Sequence, residues 1–397
     1  MKRFLFYYEN YCDRNTHGGT EVATYRVAKS LKESGQAQIY HAYMYSVKNP
    51  HENFYTDTVK LLPAPQLFVS ALAEFIRKND IDVIVNEGKF FRHSLLSAAI
   101  KQSGRKVKLV FMHHFAPGSE KKKTTFRAAL TLLKLNPFNP KYYLRFLFYP
   151  LVRMPRTLCW NKKYREVYDT SDNVIVLSEG YIKEYAELAG LKDSSKIKAI
   201  PNIFELNESI TDENTKSEVQ AHKQKRVMIL SRMDEIQKRI SLALKVWKEI
   251  EKDTELSDWH LDIVGEGHNT DIFKRLAKRL KLRNVTFHGW QDAEPFLRKS
   301  AILLSTSDYE GLSLAMIEAQ SYGCVPIAFA SYASLTDVIK DGENGVIVSP
   351  PGDIKKFVEK LSELMKNKEE WERMSINAQA GVEAFSADKI ARLWQQI

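Results

Sequence analysis

Two acids, Glu310 and Glu318, stand eight positions apart in the segment E-G-L-S-L-A-M-I-E. An apolar run before Glu310 predicts a strand, and the apolar residues around Glu318 predict a buried helix. One acid is therefore expected in a strand–helix turn and the other inside the helix that follows. Such turns, beside helix amino ends, are where α/β proteins bind anionic ligands.

Glu318 needs hydrogen-bond donors if its helix is buried, because an unpaired carboxylate is costly to remove from water. The two hydroxyls of a ribose would supply such donors. The alternative is a glutamate on a solvated polar face, and the Glu-Gly turn together with the Gly323–Pro326 segment favours the ligand interpretation.

Arg232 and Lys238 follow a predicted strand over 226–230. Both are expected at the carboxyl end of that strand, the edge where open parallel sheets bind ligands. An arginine can hold a phosphate through two parallel hydrogen bonds, and a lysine acts as a point charge. The pair therefore suits a diphosphate, with ordinary surface charge as the alternative.

Weaker signals lie in the N-terminal half. Gly18 and Gly19 follow the first predicted strand and could bring backbone N–H groups to a ligand, although a simple tight turn is the alternative. His113 and His114 end another predicted strand, where a substrate-polarising role competes with a structural one. Gly265-Glu266-Gly267 lacks a third glycine, so we predict only a turn there.

Metal chemistry finds little support in the sequence. Cys12, Cys159 and Cys324 share no metal or disulfide spacing, and no zinc-binding motif is present. Asp308 and Glu310 have the spacing of a metal-binding acid pair. We favour a metal-independent site, because Arg232, Lys238 and a helix dipole can neutralise a diphosphate.

The 397 residues exceed one ordinary core, so two domains are expected. Strand–helix alternation runs through the first half, stops in a polar stretch and then restarts, which predicts an α/β chain with two parallel-sheet domains. We place the N-terminal domain at 1–204, a linker at 205–225 and the C-terminal domain at 226–380. A final helix in 381–397 is expected to pack back on the N-terminal domain.

The positive charge is concentrated in one segment. The net charge is +10, and residues 121–165 contain twelve Lys or Arg and no acid. Aromatic and leucine residues alternate with these cations. This composition suits an anionic membrane surface, with a solvated basic face over core-facing apolar residues as the alternative. No run is long enough for a membrane span, and the short apolar start predicts a cytoplasmic protein, with peripheral attachment to the inner membrane face as a further hypothesis.

Taken together, these motifs resemble the retaining glycosyltransferases of the GT-B fold, in family 4. The stretch 226–353 carries the resemblance, through Arg232, Lys238, the Glu310–Glu318 segment and Asp341-Gly-Glu-Asn-Gly345. The resemblance implies two Rossmann-like domains that face each other across a cleft. The chain departs from the family at Ser231 and Arg239, where glycine is usual, and at Leu312-Ser313, where an aromatic-glycine pair is usual.

The resemblance also implies donor-binding roles. Arg232 and Lys238 would hold the diphosphate of a nucleotide sugar, and Glu318 would take the ribose hydroxyls. Gly289 and Trp290 would lie against the base.

Other residues would surround the reacting sugar. The resemblance puts Glu310 beside the transferred sugar and His113 near its reacting carbon. Ser313 and Leu314 would offer backbone amides to sugar or phosphate, and Gly18-Gly19 would give close backbone access to donor and acceptor.

The expected activity is transfer of a hexose-type sugar, with retention, from a UDP- or GDP-linked donor to a hydroxyl of a glycan or lipid-linked acceptor in cell-surface polysaccharide synthesis. No separate cofactor is expected. A GT-B epimerase or phosphorylase would share the two-domain architecture and is one alternative. A nucleic-acid-binding protein that uses the basic segment is another, less favoured because it leaves the Glu310–Glu318 motif unexplained.

Overall fold

A computed structural model describes residues 1–13, 18–46, 54–122, 124–206, 210 and 213–397. The chain divides into two units by its internal contacts. Unit 1 consists of Met1–Gly118, Arg156–Glu205 and Phe385–Ile397, and unit 2 consists of Ser119–Pro155 and Leu206–Ala384. Lys123 of the basic segment and residues 207–209 and 211–212 of the expected linker lie outside the described residues.

Each unit is built on one parallel sheet. The strands of unit 1 are β1 (Lys2–Tyr7), β2 (Ala37–Tyr43), β3 (Asp57–Lys60), β4 (Val83–Glu87), β5 (Lys108–His113), β6 (Asn173–Val176) and β7 (Ile197–Ala199). The strands of unit 2 are β8 (Gln224–Leu230), β9 (His260–Val264), β10 (Val285–Gly289), β11 (Ser300–Ser305), β12 (Val325–Phe329) and β13 (Val346–Val348).

Helices connect the strands. In chain order they are α1 (Gly19–Glu33), α2 (Pro65–Lys78), α3 (His93–Ser103), α4 (Ser119–Lys122), α5 (Phe126–Leu135), α6 (Pro140–Thr170), α7 (Gly180–Ala189), α8 (Glu213–Ala221), α9 (Glu235–Lys238), α10 (Ile240–Ile250), α11 (Thr270–Arg279), α12 (Glu294–Lys299), α13 (Leu314–Ser321), α14 (Leu335–Val338), α15 (Ile354–Lys366), α16 (Lys368–Gly381) and α17 (Ala387–Gln395). Short 3₁₀ turns occupy Phe90–Arg92, Thr254–Leu256 and Val382–Phe385.

The predicted pair of parallel-sheet α/β domains is confirmed. The seven strands of unit 1 are ordered β3-β2-β1-β4-β5-β6-β7, and the six of unit 2 are ordered β10-β9-β8-β11-β12-β13. Strand order reverses beside β1 and beside β8. Ligands of open α/β sheets bind outside the carboxyl ends of strands at such reversals, so the ends of β8 and β11 are the expected site in unit 2.

The strands form where apolar runs can be buried on both faces, as parallel sheets require. All five residues of β12 are buried, and so are all five of β4. In unit 2 the helices cover the sheet with large side chains that include Trp247 and Phe273. In unit 1, Phe68 and Leu72 of α2 pack over the sheet in the same way. Two separate cores result, one for each sheet.

The basic segment differs from the expectation. Sequence order put 121–165 in the N-terminal domain, whereas Ser119–Pro155 belongs with unit 2. Two contacts explain the difference. Leu135 packs against the core of unit 2, and Arg127 forms an ion pair with Asp308 at 3.0 Å. Neither contact can be read from the segment itself, because both depend on residues far along the chain.

The expected linker is partly structured. Residues 205–225 contain helix α8 and the first residues of β8. Val219 of that helix is buried, and Gln220 Nε2 donates to the carbonyl of Glu372 at 3.3 Å. The helix therefore packs on unit 2.

The chain end contacts the first sheet domain. Helix α17 packs on α1, where Ser30 Oγ donates to the carbonyl of Ala387 at 3.3 Å. The ring of Trp394 lies 6.4 Å from that of Phe6. Within the described part of the chain, no helix combines the length and hydropathy needed to cross a membrane.

Candidate active site

The loop that follows β8 packs closely against the loop that follows β9. Two glycines of the second loop, Gly265 and Gly267, make this close approach possible. Gly265 has φ +125, and a Cβ added there would come 2.1 Å from the carbonyl oxygen of Ser231. A Cβ on Gly267 would come 2.8 Å from the backbone nitrogen of Met233. The Gly265–Gly267 segment is thus a turn, as the sequence predicts. Its role is to let two backbones touch and so to hold the segment that carries Arg232.

Helix α9 then turns the chain back toward the sheet. Asp234 caps this single turn, and its Oδ1 accepts from the backbone N–H of Ile236 at 2.9 Å and of Gln237 at 3.3 Å. Capping by aspartate satisfies amide groups that a helix start leaves without partners. Gln237 and Lys238 are the last residues of this turn, so the cap sets where their side chains begin.

The loop after β11 is tied to the loop after β8. Thr306 Oγ1 donates to the carbonyl oxygen of Lys238 at 2.9 Å. The carbonyl oxygen of Arg239 also lies within hydrogen-bond distance of Oγ1, at 3.0 Å. The backbone N–H of Asp308 donates to the carbonyl of Gln237 at 2.7 Å. These bonds bring Glu310 against Lys238. Glu310 is the residue that the family resemblance puts beside the transferred sugar.

Four side chains then form one connected group, the Glu310 cluster. Lys238 Nζ lies 2.5 Å from Glu310 Oε1, and Gln237 Nε2 donates to Glu310 Oε2 at 3.0 Å. Arg232 Nη2 donates to Gln237 Oε1 at 3.1 Å. The side chains of Lys238 and Glu310 are only 15% and 8% exposed, so their attraction is weakly screened.

Gln237 was missed by the sequence analysis. No charge or spacing marks it, yet its amide can donate to a carboxylate while it accepts from a guanidinium. It therefore links Arg232 to Glu310. The only available signal was its place between the two basic residues of the loop.

Helix α13 begins beside this cluster. Its N-cap, Ser313, makes no side-chain capping hydrogen bond. Ser313, Lys238, Glu310 and Ser231 line a small cavity of ≈ 20 Å³, enough for about one water molecule. The positive end of the helix dipole therefore points to the same place as the lysine. Glu318 is half-buried on this helix, while its neighbours Met316, Ile317 and Ala319 are fully buried.

Gly289 and Trp290 lie elsewhere in unit 2, at the end of β10. The carbonyl of Gly289 accepts from the backbone N–H of Gly265 at 2.7 Å, so this strand end adjoins the Gly265–Gly267 turn. Trp290 is 72% exposed. An exposed indole can offer a stacking face, which is compatible with the base-contact role that the resemblance implies.

Gly18 and Gly19 lie at the start of α1 in unit 1. A Cβ on Gly18 would meet the Glu21 carboxylate at 2.1 Å, whereas no atom of the described residues lies within 4 Å of a Cβ on Gly19. Glu21 is itself held by Asn10, whose Nδ2 donates to it at 3.0 Å. The missing side chain of Gly18 therefore leaves room for the Glu21 carboxylate at the start of α1. A ligand could contact the backbone at Gly19, as far as the described residues are concerned.

His113 also belongs to unit 1 and is buried at the end of β5. The hydroxyl of Tyr164 accepts from the N–H of Gly118 at 2.9 Å and lies 3.2 Å from His113 Nε2, within hydrogen-bond distance. Its neighbour His114 is engaged by Glu87, with 2.5 Å between Nε2 and Oε2. Both rings thus have structural partners.

Asp308 has cationic neighbours. Its carboxylate lies 3.0 Å from Arg127, 3.5 Å from Lys122 and 3.6 Å from Arg239. In the described ranges, no three His, Cys, Asp or Glu side chains form a group that could hold a metal ion. Metal independence stays a prediction.

Two family models match this chain. The model described as Glycosyltransferase Family 4 matches residues 17–208, and the model described as Glycosyl transferases group 1 matches residues 211–381. Only the two chain ends and residues 209–210 fall outside them. The chain is a glycosyltransferase, matched in both of its halves by models of that class. The second match contains the whole Glu310 cluster.

Curated relatives of this glycosyltransferase include proteins matched over very different lengths. The amylovoran biosynthesis glycosyltransferase AmsD of Erwinia amylovora is 25% identical over 392 residues, which cover 96% of this chain and 95% of that protein. An uncharacterized glycosyltransferase of Haemophilus influenzae is 31% identical over 156 residues, 39% of this chain. The chain spans only 43% of the length of that second relative.

Solved structures agree on the fold of this glycosyltransferase. The HepE protein of Anabaena, determined with UDP-glucose, superposes with a TM-score of 0.70 at 16% identity and covers 100% of this chain and 99% of its own. At this identity the likeness establishes the GT-B fold and nothing finer.

Proposed function

We propose that this protein is a retaining glycosyltransferase that moves a hexose-type sugar from a nucleotide-diphosphate sugar to a hydroxyl group. The observation that carries the proposal is the Glu310 cluster at the carboxyl ends of β8 and β11. There, two cations, one buried carboxylate and the start of α13 converge at the reversal of strand order. This is the chemistry that a diphosphate leaving group requires.

The donor would be held by unit 2. Arg232 and Lys238 take the diphosphate, and Glu318 takes the ribose hydroxyls. Trp290, with Gly289, faces the base, which we propose is uracil or guanine. UDP has support from HepE, whose crystal structure was determined in complex with UDP-glucose. The protein would need no separate cofactor and no metal, since its cations and helix dipole serve the diphosphate.

The reaction would break the bond between the anomeric carbon and the diphosphate oxygen. Negative charge grows on that oxygen, and Lys238, Arg232 and the amide groups at Ser313 and Leu314 stabilise it. Positive charge grows on the sugar, and the Glu310 carboxylate stabilises that charge. Retention follows if the acceptor hydroxyl attacks from the leaving-group side and passes its proton to the departing phosphate oxygen. The family resemblance gives His113 a contact with the sugar and gives Gly18-Gly19 close backbone access to the substrates.

The acceptor would be a glycan or a lipid-linked glycan in cell-surface polysaccharide synthesis. Support comes from the relative named for amylovoran biosynthesis, which matches nearly the whole chain. Both substrates would be met in the cytoplasm.

An apolar stripe on α6 supports peripheral attachment to an anionic membrane. Leu144, Leu147, Phe148 and Leu151 recur at spacings of three and four residues, and each is more than half exposed. The same helix carries cations and has no acid before Glu166. Solvated leucines beside cations suit the boundary between lipid headgroups and acyl chains. The alternative, in which these residues face a core, does not fit their exposure.

The decisive experiment is thermal unfolding with UDP, GDP, ADP and their sugars. A ligand that binds only the folded state raises the melting temperature. We expect one nucleotide family to stabilise the protein by several degrees. Lys238→Gln should lose this effect, while Lys274→Gln, an exposed lysine on α11, should keep it. Failure of every nucleotide to stabilise the wild-type protein would refute the proposal.

Turnover distinguishes the remaining enzyme classes. An epimerase would convert its nucleotide sugar without an acceptor, and a phosphorylase would require inorganic phosphate. A transferase needs a glycan hydroxyl. Salt-sensitive binding to arbitrary duplex DNA, without any nucleotide-sugar effect, would instead favour the nucleic-acid alternative.

A further inference from the structure

Unit 2 contains a second, larger pocket that the donor site does not use. It has a volume of ≈ 630 Å³ and lies between helices α5 and α10. Small-molecule sites fall in the range of about 300–1,000 Å³. Five cations line it: Lys122, Arg127, Lys134, Arg239 and Lys245. We call it the Arg239 pocket.

The charge in this pocket is poorly balanced. Two acids line it, Asp308 and Glu235. Asp308 alone faces Lys122, Arg127 and Arg239 at 3.0 to 3.6 Å. Glu235 is occupied elsewhere, because Ser241 donates to it from its hydroxyl at 2.7 Å and from its backbone at 3.1 Å. Burial also raises the pKa of Glu235, which weakens it as a counter-charge. The pocket therefore keeps an excess of positive charge.

Arg239 is the most unusual residue of the pocket. Its φ is +51, a left-handed conformation that costs a non-glycine residue about 1 kcal/mol. Glycine suits this backbone better, so this chain carries a guanidinium where the local conformation does not favour one. Its side chain is 14% exposed. Its Nη2 lies close to Gly352, because a Cβ added to Gly352 would be 3.4 Å from that nitrogen.

Two polar atoms of the pocket residues lack a hydrogen bond among the described parts of the chain. Nη1 of Arg239 is buried, and its nearest carboxylate oxygen, on Asp308, is 3.6 Å away. Oγ of Ser331 is buried without a partner too. Buried donors normally have partners, so both groups can donate to an oxygen of a ligand without losing an existing hydrogen bond.

We propose that the Arg239 pocket binds a phosphate group carried by the acceptor. Arg127 and Arg239 converge on the same Asp308 oxygen, so a tetrahedral oxyanion can take donors from both guanidinium groups. Lys134 and Lys245 add positive charge at the rim. The proposal rests on the proposed transferase function.

Chain connectivity couples this pocket to the donor site. Arg239 directly follows Lys238, and Asp308 lies two residues before Glu310. Lys122 Nζ donates to the carbonyl of Asp308 at 3.1 Å and so joins α4 to the same loop. A phosphate held here lies beside the reacting sugar yet uses different cations from the donor diphosphate. This position suits an acceptor that carries both a hydroxyl and a phosphate.

Binding of simple phosphates tests the proposal. Calorimetry would follow glycerol 3-phosphate, and sedimentation would follow phosphatidylcholine vesicles with and without phosphatidic acid, each in saturating UDP. The variant Arg239→Gly suits the left-handed backbone and should fold at least as well as the wild type. Arg127→Gln, at an exposed side chain, is a second variant, and Lys274→Gln is the matched control.

We expect at least a tenfold loss of phosphate affinity in Arg239→Gly and Arg127→Gln and no change in Lys274→Gln. If binding of glycerol 3-phosphate depends on Arg239, the acceptor is a soluble phosphate. If only binding to phosphatidic acid vesicles depends on Arg239, the acceptor is a lipid phosphate. Phosphate binding that UDP abolishes, or that both variants retain, would overturn the proposal. Lack of UDP binding, with Arg239-dependent phosphate binding intact, would instead count against the donor assignment alone.

Discussion

Lys238 and Glu310 form an ion pair with 2.5 Å between Nζ and Oε1, and both side chains are largely shielded from water. The lysine proposed to hold the donor diphosphate is thus already engaged by the carboxylate proposed to stabilise the sugar. A diphosphate must share Lys238 with Glu310. This arrangement lets one acid both position the lysine and weaken nucleotide binding through repulsion.

Glu310→Gln should therefore separate binding from catalysis. Loss of the competing negative charge should tighten UDP or GDP binding up to about tenfold, since ~1.4 kcal/mol corresponds to that factor. Turnover should fall by about 100-fold or more, as for the loss of other charge-stabilising groups. Calorimetry gives the dissociation constant, and initial rates give kcat. Glu369→Gln, an exposed acid on α16, is the control. Weaker nucleotide binding in Glu310→Gln would contradict this assignment.

Much of this site could be predicted from residue types and order. Strands that end at Leu230 and Ser305 in a parallel sheet bring their following loops to one edge, so the sequence placed Lys238 and Glu310 each at a strand end, although it did not predict their contact. Gln237 was not, because its role depends on the loop conformation that Asp234 and Thr306 impose. A neutral side chain gives no sign of such a role before the loops are folded.

The boundary of the two units was harder to predict. Composition singled out the basic segment, but it predicted neither helices α5 and α6 nor the sheet that they join. The place of Ser119–Pro155 in unit 2 follows from two sets of contacts. Leu135 packs against the core of unit 2, and Lys122 and Arg127 bind Asp308, which lies more than 180 positions further along the sequence. Long-range ion pairs of this kind leave no local pattern.

Gly265→Ala should damage both stability and the donor site. The new Cβ would come 2.1 Å from the Ser231 carbonyl at a φ of +125, so the loop that carries Arg232 must move. We expect a loss of roughly 3 kcal/mol in the free energy of unfolding, together with weaker nucleotide binding. Urea titration measures the first and calorimetry the second.

Gly342→Ala is the matched control for that variant. Gly342 also has a left-handed φ, +73, but in the described part of the chain nothing lies within 4 Å of an added Cβ. Only the conformational cost of about 1 kcal/mol should appear, with nucleotide binding unchanged. Equal destabilisation of the two variants would show that the contact with Ser231 is unimportant.

Acid should destabilise unit 1 through His41. Its Nδ1 donates to the carbonyl of Phe6 at 2.9 Å, and its Nε2 accepts from the N–H of Cys12 at 3.1 Å. Burial lowers the pKa of His41 to about 4. The unfolded imidazole binds a proton near its ordinary pKa of about 6.5, whereas the folded one does not until about 4. Stability is therefore full above pH 6.5 and falls by up to about 3 kcal/mol as the pH drops to 4.

His41→Gln tests this origin, because glutamine also has one side-chain donor group and one acceptor and does not titrate. Urea unfolding at pH 7 and pH 5 should show a smaller loss of stability in this variant than in the wild type. His222→Gln, at an exposed histidine, should show the wild-type loss. The same pH dependence in all three proteins would exclude His41 as the cause.

The apolar stripe of α6 should govern attachment to anionic vesicles. Each leucine moved from water into the lipid interface contributes about 1.5 kcal/mol or more, and each basic residue near the surface about 1 kcal/mol. Leu147→Ser with Leu151→Ser should therefore lower vesicle partitioning by about 100-fold in a flotation assay.

High salt should weaken the wild-type protein's preference for anionic over neutral vesicles, because salt screens the cations. Leu67→Ser changes an exposed leucine on α2 and should float as the wild type does. Equal recovery with neutral and anionic vesicles would rule out the membrane role, and a stripe-dependent dimer in solution would identify the surface as a protein interface.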